Sequence, residues 1–366
     1  MKVSLFKYLI LSLLISASNA LLASEEADTT KSNDFDVNEV LMHHIKDTYE
    51  WHILDYVNKN DEHVVVSIPF PIILIGNGQF DIFMSSEFHH GDKTVKRGNN
   101  EYILYHEKIY YKSENGNEHG IEYKLNDKGE KIVANAKPLD FSITKNVVGV
   151  FLIVIVMLLI FLSVARGYKK RPGRPAGLQA FMEPVILFVK NDIVVPVIGE
   201  HKSEKFLPYL LTVFFFILFG NLFGLMPIFL GGANVTGNIS VTFTLALFTM
   251  LITNFSGNKE YWKHIFAVPG VPIWLYPIMI PVELLGIIIK PFALMVRLFA
   301  NITAGHIIVL SLISVIFIFK SAVMASVSIP LGLFMNILEL LVAFLQAYVF
   351  TMLSALFIGL AVQEEH

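Results

Sequence analysis

Long apolar segments dominate the second half of the chain, and their length predicts membrane-spanning helices. The first of them has 19 residues, enough to cross a bilayer core of about 30 Å. Five such segments follow residue 145: 147–165, 206–228, 239–257, about 276–319 and 327–362. The pattern predicts an all-α polytopic domain over 146–366.

The last two apolar segments are too long for a simple crossing. At a rise of about 1.5 Å per residue, the part of the fourth segment after Pro281 is nearly twice as long as a bilayer core is thick. These helices must tilt, kink or lie partly at an interface. A short link at 320–322 separates them, so we predict a hairpin of two long, inclined helices.

The N-terminus has the pattern of an export signal. Lys2 and Lys7 precede a short apolar run and a stretch of small residues. This order predicts a signal peptide over 1–23, cleaved after Ala20 or Ala23. An uncleaved anchor helix is the alternative.

Residues 24–145 are predicted to form a small exported domain, a helix followed by a β-rich part. Apolar residues at helical spacing indicate an amphipathic helix over 35–57. From Val64 onward, short β-branched and aromatic runs alternate with turn pairs, which favours strands, and 121–133 predicts a hairpin.

Histidines in this domain are candidates for a metal site. No cysteine or ligand spacing supports one, so a polar helix face and a loop explain them better and no metal is expected. They are His43, His44, His89 and His90.

Charge assigns a direction to the crossings. The stretch 166–175 after the first apolar segment has five basic residues and no acid. By the positive-inside rule this end is cytoplasmic, which agrees with an exported N-terminus and places the C-terminus in the cytoplasm. The segment 178–199 is interrupted by Pro184 and Pro196, so we expect it to lie at the cytoplasmic surface of a bacterial inner membrane.

Composition excludes several functions. The chain is 54% hydrophobic and only 16% charged, which is typical of a membrane protein, and its net charge of -3 gives no reason to expect nucleic acid. Cysteine is absent. Because the chain also lacks a phosphate-binding loop, a nucleophile motif and a dinucleotide fingerprint, we expect no cofactor and no enzymatic activity of the chain alone.

Polar residues in the predicted hairpin are the candidate functional groups. Folding the hairpin about residue 322 brings Arg297 level with Gln346, and His306 level with Glu339. Helical phase puts Arg297 and Asn301 on one face and His306 on the opposite face. The polar set is Glu283, Lys290, Arg297, Asn301, His306, Asn336, Glu339 and Gln346.

Ionisable groups inside a membrane are costly, and they usually face a partner or a water-filled path. Histidine titrates near neutrality, so His306 and Glu339 could exchange a proton. Arginine keeps its proton, so Arg297 can repel cations or pair with a carboxylate but cannot relay. The alternative is that Glu339 and Arg297 only hold helices together.

The stretch "KPFALMVRLFANITAGHIIVL" (290–310) resembles the signature of subunit a of the rotary ATP synthase. The resemblance covers roughly 145–366 and extends to "GNLFGLMP", "VTFTLALF", "LQAYVFTMLS" and the ending "EEH". It assigns the essential arginine to Arg297. Some family members have an acid at the position of His306 and a histidine at that of Glu339, so this chain has the two exchanged.

The resemblance implies a mechanism and partners. Protons would enter from the exterior along Asn301, His306, Glu339 and Gln346, and protonate a carboxylate of the c-ring. They would leave to the cytoplasm near Glu283, while Arg297 separates the two half-channels. The implied partners are the c-ring, subunit b with the peripheral stalk, and the lipid bilayer.

Other functions remain open at this stage. The ion is either H⁺ or Na⁺. A secondary transporter would usually show internal repeats, and no self-similar halves are found here. A membrane-anchored sensor would explain 24–145 but would leave the membrane charges without a role.

Overall fold

The computed structural model describes most of the chain after residue 46. The predicted signal peptide, residues 35–46 of the predicted amphipathic helix, and the first two histidines lie outside the described residues. The described ranges are 47–57, 63–117, 119–126, 131–170, 175–226, 234–266, 272–319 and 321–363.

A β-rich region comes first, built from short antiparallel pairs. The pairings within the described residues are β1–β2, β10–β3–β4, β5–β6–β7 and β8–β9. The strands are β1 Glu50–Val57, β2 His63–Pro69, β3 Pro71–Gly76, β4 Gln79–Met84, β5 Val95–Arg97, β6 Asn100–Tyr105, β7 Lys108–Tyr111, β8 Tyr123–Leu125, β9 Lys131–Val133 and β10 Leu139–Asp140, with a 3₁₀ helix at Ser85–Gly91.

Alternation along β3 builds the core of this region. Ile72 and Leu74 point inward and are completely buried, while Ile75 is exposed. Phe83 of β4 and Tyr102 of β6 pack on them, with their rings stacked at 6.0 Å. The period of two is that of a sheet with one buried face.

The helix predicted over 35–57 is wrong from Asp47 onward, in all the residues of it that the structure describes. Glu50–Val57 is strand β1, antiparallel to β2 from Glu50 opposite Pro69 to Val57 opposite His63. Trp51 is buried and Ile53 is 40% exposed although strict alternation would place them on one face, because the register of the pair shifts at a bulge between His52 and Leu54. Pairing with the valine-rich β2 outweighs the helical spacing, because strand preference depends on neighbours.

The hairpin predicted over 121–133 is confirmed. Tyr123 pairs with Val133, and Leu125 pairs with Lys131.

The histidines of the 3₁₀ helix have charged neighbours. His90 Nδ1 lies 2.7 Å from Glu50 Oε1, and His89 Nε2 lies 3.3 Å from Lys93 Nζ. Within the described ranges, no three His, Asp or Glu side chains form a group that could hold a metal ion.

Helices make up most of the described residues from Lys145 onward. Among the described residues, four are long and apolar enough to cross a membrane, or five if a bent pair at 239–266 counts as one span, so the predicted number of about five is confirmed. The helices are α1 Lys145–Lys170, α2 Leu178–Phe188, α3 Val195–Ile198, α4 Glu200–Leu225, α5 Ile239–Phe255, α6 Lys259–Phe266, α7 Tyr276–Phe319 and α8 Ala322–Val362, with a π-helix at Val189–Val194 and a 3₁₀ turn at Ile273–Leu275.

The segment between α1 and α4 packs on the bundle. Val189, Ile193 and Val194 of the π-helix are completely buried. At α3 the backbone comes very close to α8, since a Cβ on Gly359 would lie 2.7 Å from the carbonyl oxygen of Val197. Glycine is therefore required at this contact.

Helices α7 and α8 form the predicted hairpin. They have 44 and 41 residues, and 44 residues correspond to about 66 Å, roughly twice the thickness of a bilayer core. Ser321 caps α8, because its side chain accepts a hydrogen bond from the Val323 amide. The hairpin carries the candidate site.

Candidate functional site

His306 and Glu339 meet between the two long helices. His306 Nδ1 lies 3.4 Å from Glu339 Oε1, and Glu339 is only 6% exposed. The contact is within ion-pair distance, but no hydrogen bond to Oε1 forms within the described part of the chain. An imidazole and a carboxyl group this close can exchange one proton through a single water, or directly after they approach to hydrogen-bond distance.

A glycine makes room for this pair. A Cβ on Gly305 would lie 2.7 Å from Glu339 Oε1. A Cβ on Gly224 of α4 would lie 3.6 Å from His306 Nε2. Gly305 therefore leaves the space that the carboxyl group occupies, whereas a side chain at Gly224 would begin in ordinary contact with the imidazole.

Asn301 and Gln346 form a second polar contact across the hairpin. Asn301 Nδ2 donates a 3.0 Å hydrogen bond to Gln346 Oε1. Gln346 is 3% exposed, and its Nε2 has no partner among the described residues. Gln346 thus contacts the residue one turn beyond Arg297.

Helical phase did not separate the two contacts as expected. Asn301 and His306 are five positions apart, about 140° around the helix, yet both reach α8. Asn301 and His306 lie on either side of the line of contact between the helices, and the longer side chains of Gln346 and Glu339 reach them from α8.

Arg297 faces away from the bundle. Its side chain is exposed, whereas Leu294 and Leu298 on the same helix are buried. No hydrogen bond or ion pair joins Arg297 to another residue in the ranges that the structure describes. Among the described residues, this cation of a membrane helix therefore has no acidic partner.

Glu283 lies in a separate cavity near the end of α8. The cavity has about 420 Å³ and is also lined by Leu360 and Gln363. Arg297 lies 14 residues after Glu283 and nine before His306, about 21 Å and 14 Å along the helix. The charged and titratable groups of the cavity are Glu260, Tyr261, Lys263, His264, Glu283 and Lys290.

Sequence reasoning missed several contributors to these sites. Charged residues of α6 line the cavity of Glu283, although they come more than 15 positions earlier in the chain. Two of them, Glu260 and Lys263, form an ion pair at 3.6 Å. Lys290, noted only as polar, lies 5.9 Å from the ring centroid of Phe357. Gly305 could have been noticed, since a small residue precedes the titratable His306.

A family model for the ATP synthase A chain matches residues 147–359, more than half of this chain. The chain belongs to the ATP synthase A chain family. A second model, for a domain of unknown function (DUF8433), matches residues 40–141.

Curated members of the ATP synthase A chain family agree with this assignment. ATP synthase subunit a 2 of Chlorobaculum tepidum is 53% identical over 230 residues, 61% of this chain and 64% of that protein. ATP synthase subunit a of Chloroherpeton thalassium is 47% identical, over 62% of this chain and 68% of that protein. ATP synthase subunit a of an Anaeromyxobacter species is 44% identical, over 68% of this chain and 62% of that protein. The matches thus span about two thirds of these relatives.

Proposed function

We propose that this chain is the proton-translocating stator subunit of an ATP synthase. The observation that carries the proposal is Arg297, an exposed cation without a partner in the described part of the chain. It lies on α7 between two groups of titratable residues. The fixed charge divides the path for protons into two half-channels.

The outer half-channel passes along the hairpin. Asn301, His306, Glu339 and Gln346 line it, and the His306–Glu339 pair holds and releases the proton. The 3.4 Å contact and the burial of Glu339 support this role. A proton arriving here then neutralises a carboxylate on a c subunit, which can turn through lipid without a charge.

The cytoplasmic half-channel opens at Glu283. The cavity of about 420 Å³ around it has acidic and basic side chains that solvate a leaving proton. Arg297 attracts the deprotonated c-ring carboxylate and blocks direct passage between the half-channels. Arginine suits this task because it does not release its proton at physiological pH.

Partners and location follow from the same mechanism. The chain contacts the c-ring, subunit b with the peripheral stalk, and lipid, in the inner membrane of a bacterium. The β-rich region lies in the periplasm and the C-terminus in the cytoplasm, as the basic stretch 166–175 favours. The chain performs no ATP chemistry itself.

Purification and proton pumping test the proposal. The tagged chain is expected to co-purify with a c-ring and stator subunits, and the complex in vesicles is expected to pump protons when ATP is added. Pumping that needs sodium would instead identify the Na⁺ form of the subunit. Purification without a c-ring, or ATP hydrolysis without ion transport, would contradict the proposal.

A further inference from the structure

The β-rich region is joined to the helices through a partly buried carboxylate. Asp47 Oδ1 accepts a 3.0 Å hydrogen bond from the Asn146 amide at the start of α1. Its Oδ2 accepts from Thr144 Oγ1 at 2.9 Å and from Asn238 Nδ2, the cap of α5, at 3.4 Å. Asp47 therefore touches the beginnings of two helices that are distant in sequence.

A cavity of about 550 Å³ lies at this junction. It is lined by Asp47 and Thr144, together with His106 and Glu107 of the β-rich region. Burial raises the pKa of Asp47 above its ordinary value, although its hydrogen bonds and the positive charge of the nearby Lys145 act in the opposite direction. A group whose charged form is disfavoured in this way can take up a proton from the cavity more readily than a surface aspartate.

Buried polar atoms without partners continue inward from the junction. Asn146 is 5% exposed, Thr236 is 1% exposed and Asn221 is 2% exposed. In each of them one side-chain oxygen has no hydrogen bond within the described ranges. Polar atoms at such depth are normally paired with protein or with water, so these three favour internal water.

Contacts lead from Thr236 towards the His306–Glu339 pair and end one helical turn from Glu339. Thr236 precedes Asn238 by two residues, and a Cβ on Gly220 would lie 3.0 Å from Thr236 Cγ2. Asn221, next to Gly220, donates a 3.0 Å hydrogen bond to the carbonyl oxygen of Ala343, one turn beyond Glu339 on α8.

We propose that the outer proton path begins at Asp47 and runs past Thr236 and Asn221 to the histidine–glutamate pair. The β-rich region thereby supplies the mouth of the path, rather than only an attachment. The inference rests on the proposed function, since it needs a proton path that ends at the c-ring.

Thr236→Val tests the buried hydroxyl in the whole ATP synthase in vesicles. Valine has nearly the shape of threonine, so only the polar atom is lost. We expect proton-driven ATP synthesis to slow about fivefold, the factor that corresponds to one net hydrogen bond. The matched control is Thr244→Val, because Thr244 is exposed and its hydroxyl bonds the Ser240 carbonyl. Equal rates for the two variants would overturn the inference.

A cysteine variant tests water access directly, since the chain has no cysteine. Silver ions added from outside are expected to block proton flux in Thr236→Cys but not in Thr244→Cys or the unaltered complex. Silver without effect on Thr236→Cys would overturn the inference.

A third experiment compares substitutions of Asp47 and of Thr144, whose hydroxyl donates a hydrogen bond to it. Asp47→Asn is expected to slow proton-driven synthesis clearly more than Thr144→Val, because only the first removes a titratable group. Equal slowing by both would mean a structural clamp and would overturn the role of Asp47. Failure of the proposed function is separate, because the unaltered complex would then translocate no protons.

Discussion

At the scale of single side chains, the proposed mechanism assigns opposite tasks to neighbouring charges. Arg297 keeps its proton and faces outward. His306 and Glu339, 3.4 Å apart, can pass one proton between them. The pair therefore depends on having one imidazole and one carboxyl group, more than on which helix holds which.

Exchanging His306 and Glu339 tests this dependence. Each single change, His306→Glu or Glu339→His, places two like groups at the contact and is expected to reduce proton flux on the order of 10²-fold. The double exchange restores one of each and is expected to recover a measurable part. Proton flux in reconstituted vesicles measures the coupling. A double variant as inactive as the worse single variant would argue against the pairing.

At the scale of elements, the short α3 is held by its close approach to α8. Only a residue without a side chain fits at Gly359, because the Val197 carbonyl occupies the space of a Cβ. Backbone atoms cannot move aside as a flexible side chain can. The contact thus fixes the segment between α1 and α4 on the long hairpin.

Gly359→Ala is expected to destabilise the purified complex by about 1–3 kcal/mol, the usual cost of overpacking. Gly332→Ala is the matched control, since no atom lies within 4 Å of its added Cβ. Thermal unfolding of the two variants gives the comparison. Equal melting temperatures would show that α3 can move away from α8 at no cost.

The long helices could be predicted from sequence because burial in lipid demands continuous apolar runs. The runs at 147–165 and 327–362 lie within α1 and α8, and the link near 320–322 falls between α7 and α8. Such elements can be recognised from the length of the apolar run alone, because about 18 or more consecutive apolar residues are typical of a membrane-spanning helix.

Contacts between distant residues could not be predicted in the same way. The helical spacing before Val57 gave a helix where β2 imposes a strand. Asn221 reaches Ala343 across 122 positions, and Asp47 reaches Asn238 across 191. Such pairs depend on how elements pack, and a single sequence contains no periodicity that reports it.

At the scale of the whole molecule, the proposal requires the β-rich region and the end of α1 to lie on opposite sides of the membrane. The region's core is separate from that of the helices, although Trp51 and Phe70 pack into the helical cluster. Two exposed residues can report these two sides: Leu125, which is 70% exposed, lies in the β-rich region, and Lys169 lies at the end of α1.

Single cysteines at these positions report the sidedness. An impermeant thiol reagent is expected to label Leu125→Cys in cells with a permeable outer envelope, and Lys169→Cys only after the inner membrane is opened. The unaltered chain, which has no cysteine, is the control for labelling at other sites. Labelling of Lys169→Cys in cells with an intact inner membrane would reverse the assigned direction.

The most direct test of the whole account is ATP-driven proton pumping by the Arg297→Ala complex in vesicles. Pumping is expected to disappear while the c-ring and stator subunits remain assembled, because no charge then separates the half-channels. Arg166→Ala, at the end of α1, is expected to pump normally. An assembled Arg297→Ala complex that pumps at the unaltered rate would contradict the account.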